Sequence, residues 1–169
     1  MTKPKNYYIK PSTKRQLRID VAWFLSHHGL VPMLVMIDTV EEFTTINELP
    51  LNYGGEDVLR AIVDRLRLDR SKAVEVDEII SDPESTIGKA FDLLKGHKEL
   101  SHVVVLEVPT KTHVSIVESF INKLRIRLRA VCAQFQVQFG TRMPLQFITK
   151  MLPNILEKLI TIQIWVPLE

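Results

Sequence analysis

Apolar side chains recur along this chain as stripes, runs and alternations, and each pattern predicts a different element. Leu17, Val21, Phe24 and Leu25, with Trp23 beside them, fall at helical spacing behind the capping candidates Ser12 and Thr13. They predict a first helix that carries Trp23 into the core and ends at His27, His28 and the stop residue Gly29. Residues 30–37 are apolar almost without a break, which predicts a buried strand with Pro32 near its start. Residues 43–46 predict a short strand. After Pro50 and the Gly54-Gly55 turn, Val58, Leu59, Ile62, Val63 and Leu66 form the stripe of a helix over 56–68. Val74 and Val76 alternate with polar neighbours in a strand predicted over 73–80. Ser81-Asp82-Pro83 reads as a turn and helix start, and Ile87, Phe91 and Leu94 keep helical register over 84–94.

Gly96 closes that helix, and 103–108 predict a strand stopped by Pro109. Thr110 or Thr112 can cap the next helix, whose stripe is Val117, Phe120, Ile121, Leu124, Leu128 and Val131. Inside it, Lys123, Arg125, Arg127 and Arg129 alternate with Leu124, Ile126 and Leu128. Alone, that stretch fits a strand with its cations on one face or a helix with cations flanking the stripe. The extension of the stripe in both directions favours the helix. Phe135, Val137 and Phe139 alternate with glutamines and predict a half-buried strand. Residues 140–144 predict a turn, 145–149 a strand, 152–159 a short helix and 160–166 a closing strand. The predicted class is α/β (α+β), a mixed or mainly antiparallel curved sheet packed against several helices. Residues 13–169 are expected to form one domain behind a flexible basic arm, 1–12.

Charge adds what the apolar pattern does not. The formal net charge of +2 over 169 residues hides a segregated distribution. Lys3, Lys5, Lys10, Lys14, Arg15 and Arg18 open the chain without an acid among them, with Tyr7 and Tyr8 between. From 111 to 150 the cations, including Lys123, Arg125, Arg127, Arg129 and Arg142, face the single acid Glu118. Acids predominate from 38 to 84. Such a dipolar pattern steers a polyanion to one surface. Clustered cations neutralise phosphates, and tyrosines offer platforms on which unpaired bases stack.

Several classes of chemistry find no motif. The segment Tyr53-Gly54-Gly55-Glu56 lacks the spacing and the Lys-Ser/Thr of a phosphate-binding loop. The five histidines are scattered, and Cys132 is the only cysteine, so neither a zinc site nor an internal disulfide is expected. Asp38, Glu41, Glu42, Glu75 and Asp77 are the acids available for a metal-dependent nuclease, and solvated loops account for them. No catalytic residue, metal or cofactor is therefore assigned. No apolar run approaches the roughly 20 residues of a membrane span, and an intracellular, cytoplasmic location is expected.

Two stretches resemble a known family. Leu17-Arg18, Trp23 and Leu30-Val31-Pro32-Met33-Leu34-Val35, with Leu49-Pro50-Leu51-Asn52-Tyr53, resemble the opening of the stringent starvation protein B family. Residues 135–140, Pro144 and the apolar segment from Leu152 resemble its closing strands and helix. These proteins are adaptors that deliver tagged substrates to the ClpXP protease, and the resemblance implies a bent barrel of the Sm-like kind.

The sequence thus leads to a non-catalytic binder of nucleic acid, single-stranded and RNA rather than duplex DNA. Its contacts would be Lys3, Lys5, Tyr7, Tyr8, Lys10, Lys14, Arg15, Arg18, Lys123, Arg125, Arg127, Arg129 and Arg142. The alternatives are a peptide-binding adaptor of the ClpXP type and, third, a metal-dependent nuclease. The oligomeric state is not legible.

Overall fold

The computed structural model describes residues 14–26, 29–41, 43–108 and 115–144. Within them the chain runs β1 (Gln16–Ser26), β2 (Gly29–Asp38), β3 (Thr44–Glu48), α1 (Gly55–Ser71), β4 (Glu78–Ser81), α2 (Ser85–Lys95), β5 (Val104–Glu107) and α3 (Ser115–Phe139). The five strands form an open sheet in the order β3-β2-β1-β4-β5. β1, β2 and β3 are successive antiparallel neighbours, while β1–β4 and β4–β5 pair in parallel. The sheet is mixed, as expected, and is not closed into a barrel.

The predicted first helix is a strand. Leu17 and Ile19 enter one core, whereas Ala22 and Phe24 enter the other. A strand covered on both faces loses the clean alternation that would announce it, so helical spacing fits the same residues by coincidence. Ile19, Val21, Trp23 and Phe24 suit the pleated backbone. Gly29 does not stop a helix; it opens β2 at φ +117°, a conformation suited to glycine. Trp23 is not a core residue either, being 39% exposed opposite Pro32.

One face of the sheet packs against α1 and α2. Leu17, Ile19, Leu34, Met36 and Ile79 meet Val58, Ile62 and Leu66 of α1 and Ile87, Phe91 and Leu94 of α2. The Asp57 carboxylate accepts the Gly54 N–H at 2.9 Å and places negative charge at the positive end of α1. Close by, α1 and α2 approach so tightly that a Cβ on Gly55 would lie 2.8 Å from Lys89 Cβ and 3.2 Å from the Ala90 nitrogen.

Arg65 joins this helical layer to the β2–β3 hairpin. It is 2% exposed and donates to both carboxylate oxygens of Asp69, to the Met36 and Phe43 carbonyls and to Thr45 Oγ1, at 2.9–3.2 Å. Its charge is thus balanced, and its donors are distributed over α1, β2, β3 and the loop before β3.

On the opposite face α3 covers Phe24, Val31, Met33, Val35 and Ile37 with Val117, Ile121, Leu124 and Leu128. Residues 123–129 are therefore helix. The strand predicted at Phe135, Val137 and Phe139 is the end of the same helix. Phe135 continues the packed stripe, but Val137 is 87% exposed. Gly140 (φ +66°) terminates α3, its N–H donating to the Gln136 carbonyl at 2.9 Å. The strand predicted over 73–80 shortens to β4, while the predictions for 145–149, 152–159 and 160–166 lie outside the described residues. No helix among the described residues is long and apolar enough to cross a membrane.

Candidate active site

Asp20 sits on the central strand, in register with Val35, a residue of the core beneath α3. Period-two geometry therefore puts Asp20 on the α3 face of the sheet. Ile19 pairs with Ser81 in the parallel β1–β4 ladder, so the next residues, Asp20 and Asp82, emerge side by side where β4 ends. Carboxyl ends of parallel strands are where open α/β sheets place their ligand sites. Two residues beyond Asp82, Glu84 occupies the N-cap position of α2, and its carboxylate accepts the Tyr53 hydroxyl at 2.9 Å.

Asp20 and Tyr53 titrate away from their ordinary values. Burial, then the Asp82 charge and more weakly that of Glu84, pushes the Asp20 carboxyl up to about 6, partly opposed by Arg125. Tyr53 rises to about 12 through burial, its bond to Glu84 and the nearby carboxylate charge, so it stays a neutral donor. A half-buried carboxyl crowded by further carboxylates is short of positive charge. Hard oxygen donors with net negative charge fit a divalent cation such as magnesium. Among the described residues no three acids, histidines or cysteines already form a metal-holding group, so Asp20 and Asp82 form an incomplete donor set.

α3 carries a further acid on one of its sides. Glu118, Asn122, Arg125 and Arg129 are spaced four, three and four apart and share one side of the helix. Arg125 fixes where that side looks. It donates to the Trp23 carbonyl at 3.2 Å, and its guanidinium lies 5.7 Å from the Phe24 ring centroid. Pro32, opposite Trp23, has no N–H to offer that carbonyl. The flank therefore faces the half of β1 that follows Asp20. Glu118 stands in the first turn of α3, about 10 Å along the axis from Arg125.

The basic residues singled out in the sequence do not form one surface. Lys14 bridges Glu78 at 3.0 Å, and Arg15 pairs with Asp38 and Glu41, so both charges are balanced within the fold. Arg18 lies half-buried in β1, and burial lowers its pKa. On α3, Arg125 and Arg129 share the flank just described, whereas Lys123 and Arg127 lie on the opposite side of the packed stripe. Arg142 is exposed beyond the helix. Lys3, Lys5, Tyr7, Tyr8 and Lys10 lie outside the described residues, as does the whole arm 1–12.

Of the acids that the sequence offers for catalysis, Asp38, Glu41 and Asp77 have structural partners, and Glu42 lies outside the described residues. Asp38 is 1% exposed and accepts from Arg15 Nε at 2.7 Å and from the Val40 N–H at 2.8 Å. Asp77 accepts the Arg15 N–H. Asp20 and Asp82 escape the sequence reading because one falls in a supposed helix and the other in a supposed turn. The available signal is an acid inside an otherwise apolar strand, a costly placement unless it serves a purpose.

No protein-family profile and no curated protein sequence matches the chain. Solved structures do. The integrase catalytic core domain of HTLV-2 in complex with magnesium superimposes with a TM-score of 0.58 at 11% identity, over 82% of either chain. The BIV integrase catalytic core gives a TM-score of 0.51 at 15% identity over 75% of this chain and 74% of that one. The simian T-cell lymphotropic virus intasome, bound to the PP2A regulatory subunit B56 gamma, gives 0.55 at 11% identity, covering 82% of this chain and 47% of the viral one. The fold is that of retroviral integrase catalytic cores. This corrects the resemblance to stringent starvation protein B, whose barrel the open sheet excludes. It equally corrects the expectation of a non-catalytic binder or adaptor, because the shared fold is that of enzyme catalytic cores.

Proposed function

We propose that this chain is a metal-dependent enzyme that processes nucleic acid by phosphoryl transfer. The observation that carries the reading is the placement of Asp20 beside Asp82 by the parallel β1–β4 ladder, in a fold shared with catalytic cores, one of them in complex with magnesium. Asp20 and Asp82 would hold the cation, and Glu118, in the first turn of α3, is the acid we assign as the third carboxylate. A divalent ion there supplies charge stabilisation for the attacking and leaving oxygens of a phosphodiester. Arg125 and Arg129, on the same flank of α3, would bind phosphates beside the reacting one. RNA specificity has no support in this fold, and the substrate class is nucleic acid.

The test is cleavage or strand joining of labelled DNA and RNA with and without magnesium. Asp20→Asn and Asp82→Asn are each expected to lower the rate by about 10²–10³-fold or more, equivalent to about 3–4 kcal/mol of barrier. Glu118→Gln should behave likewise, whereas Glu41→Gln should not. Activity that survives both aspartate substitutions, or that needs no divalent cation, refutes the assignment.

A further inference from the structure

α3 carries two apolar stripes, and only one of them meets the sheet. The packed stripe is Val117, Ile121, Leu124 and Leu128. Ile126, Ala130, Ala133 and Val137 follow one another at spacings of four, three and four. At about 100° per residue they form a second stripe, turned directly away from the first. All four are exposed, Ile126 by 65% and Val137 by 87%. A helix that only covers a sheet keeps charged and polar residues on its outer face. Here those residues are displaced to the flanks, with Asn122, Arg125 and Arg129 on one side and Lys123, Arg127, Gln134 and Gln138 on the other.

Charge along the flanks selects what can lie on this face. The cations of α3 end at Arg129, and 130–139 carry no charge. Two such helices laid side by side in parallel would set Lys123 and Arg127 of one against Arg125 and Arg129 of the other, an unfavourable meeting of like charges. An antiparallel pair about a two-fold axis, centred between Ala130 and Ala133, brings like flanks together running in opposite directions. Ile126 then lies level with Val137 of the partner subunit, and Ala130 with Ala133 of the partner subunit, where small side chains let the helices approach. Lys123 and Arg127 come alongside Gln138 and Gln134 of the partner subunit. Glutamine amide oxygens accept hydrogen bonds from both kinds of cation. The face is therefore complementary to itself in one direction and repulsive in the other.

We infer that the outer face of α3 docks a second copy of this chain, as an antiparallel α3–α3 pair with two-fold symmetry. Ile126 and Val137 are its apolar contacts, and the cation-rich half of each helix lies on the uncharged half of the other. The contact uses neither Asp20 nor Asp82, which belong to the sheet, so the inference stands apart from the metal-dependent reading.

Sedimentation equilibrium of the full chain, from micromolar to near-millimolar concentration, tests the pairing. The wild type should pass from monomer to dimer as concentration rises. Ile126→Glu and Val137→Lys lie outside the core, so each variant should keep the melting temperature of the wild-type monomer. Each should raise the dimer dissociation constant by about tenfold or more, because it brings an unpaired charge into an apolar contact. The two substitutions combined in one chain set opposite charges level with one another in both halves of the contact, and should bind more tightly than either alone. A parallel pair, or an interface elsewhere on the molecule, does not produce this rescue. A wild type that stays monomeric throughout, single variants that dimerise as the wild type does, or a combined variant no tighter than the single ones overturns the inference.

Discussion

Replacing Asp20 by asparagine should stabilise the protein while abolishing its chemistry. Asparagine keeps the shape of the side chain and removes the charge that burial, then Asp82 and more weakly Glu84, oppose. Raising a carboxyl from near 4 to about 6 corresponds to about 3 kcal/mol at full weight. Solvent reaching the half-buried group screens part of this, which leaves about 1–2 kcal/mol. The folded protein keeps the Asp20 proton up to about pH 6, whereas the unfolded chain releases it near pH 4. Between these values the folded state binds more protons, so stability from this group is complete below about pH 4 and lost as pH rises through about 6. Thermal melts from pH 4 to 7.5 should therefore show wild type and Asp20→Asn coinciding at the acidic end and diverging toward neutrality. At pH 7.5 the variant should melt about 2–8 °C higher, given the usual entropy of unfolding for a chain of this size. Magnesium should raise the melting temperature of the wild type and leave the variant unmoved. A variant less stable than wild type at pH 7.5, or a gap that does not change with pH, would show that Asp20 is not in electrostatic conflict with its neighbours.

Arg65→Ala should cost about 3–5 kcal/mol in urea unfolding, because it strands the buried Asp69 charge and removes the donors to the β2–β3 hairpin; Arg65→Lys should recover only part of this, lacking the planar fork. Gly55→Ala should lose about 1–3 kcal/mol despite alanine's better helix propensity, since its methyl group would meet the α2 backbone at 3.2 Å; a gain in stability would mean that α1 and α2 separate easily. Arg129→Ala should make the salt slope of nucleic-acid binding shallower by about 0.7–0.9 for each phosphate it no longer neutralises, while Arg127→Ala, on the other flank, leaves it unchanged. Equal slopes for the two variants would contradict the division of α3 into a substrate side and a solvent side.

Elements whose apolar period was unambiguous were legible in the sequence. The stripe of Val58, Ile62 and Leu66 gave α1, that of Ile87, Phe91 and Leu94 gave α2, and the apolar run after Gly29 gave β2. The central strand was not legible, because Leu17, Ile19, Ala22 and Phe24 are divided between two cores and local periodicity cannot express that division. Misreading β1 concealed the site as well. Asp20 looked like one more polar position on a helix, and nothing local reveals that Ile19 will pair with Ser81. The cations misled for a related reason: Lys14 and Arg15 are basic in sequence but neutralised in space by Glu78, Asp38 and Glu41. Only α3, where helical geometry itself sorts Arg125 and Arg129 from Lys123 and Arg127, keeps a sequence-visible cluster partly intact.

The parallel pairing of β1 with β4 has a biosynthetic consequence. Because Asp20 and Asp82 lie at opposite ends of a crossover that contains β2, β3 and α1, a nascent chain can complete its first hairpin on the ribosome while remaining chemically inert. The pair of Asp20 and Asp82 comes together only when β4, four residues long, docks against β1, a non-local step that folding reaches late. On the proposed metal-dependent reading, a half-folded copy without this pairing would lack the acid pair and would be inactive.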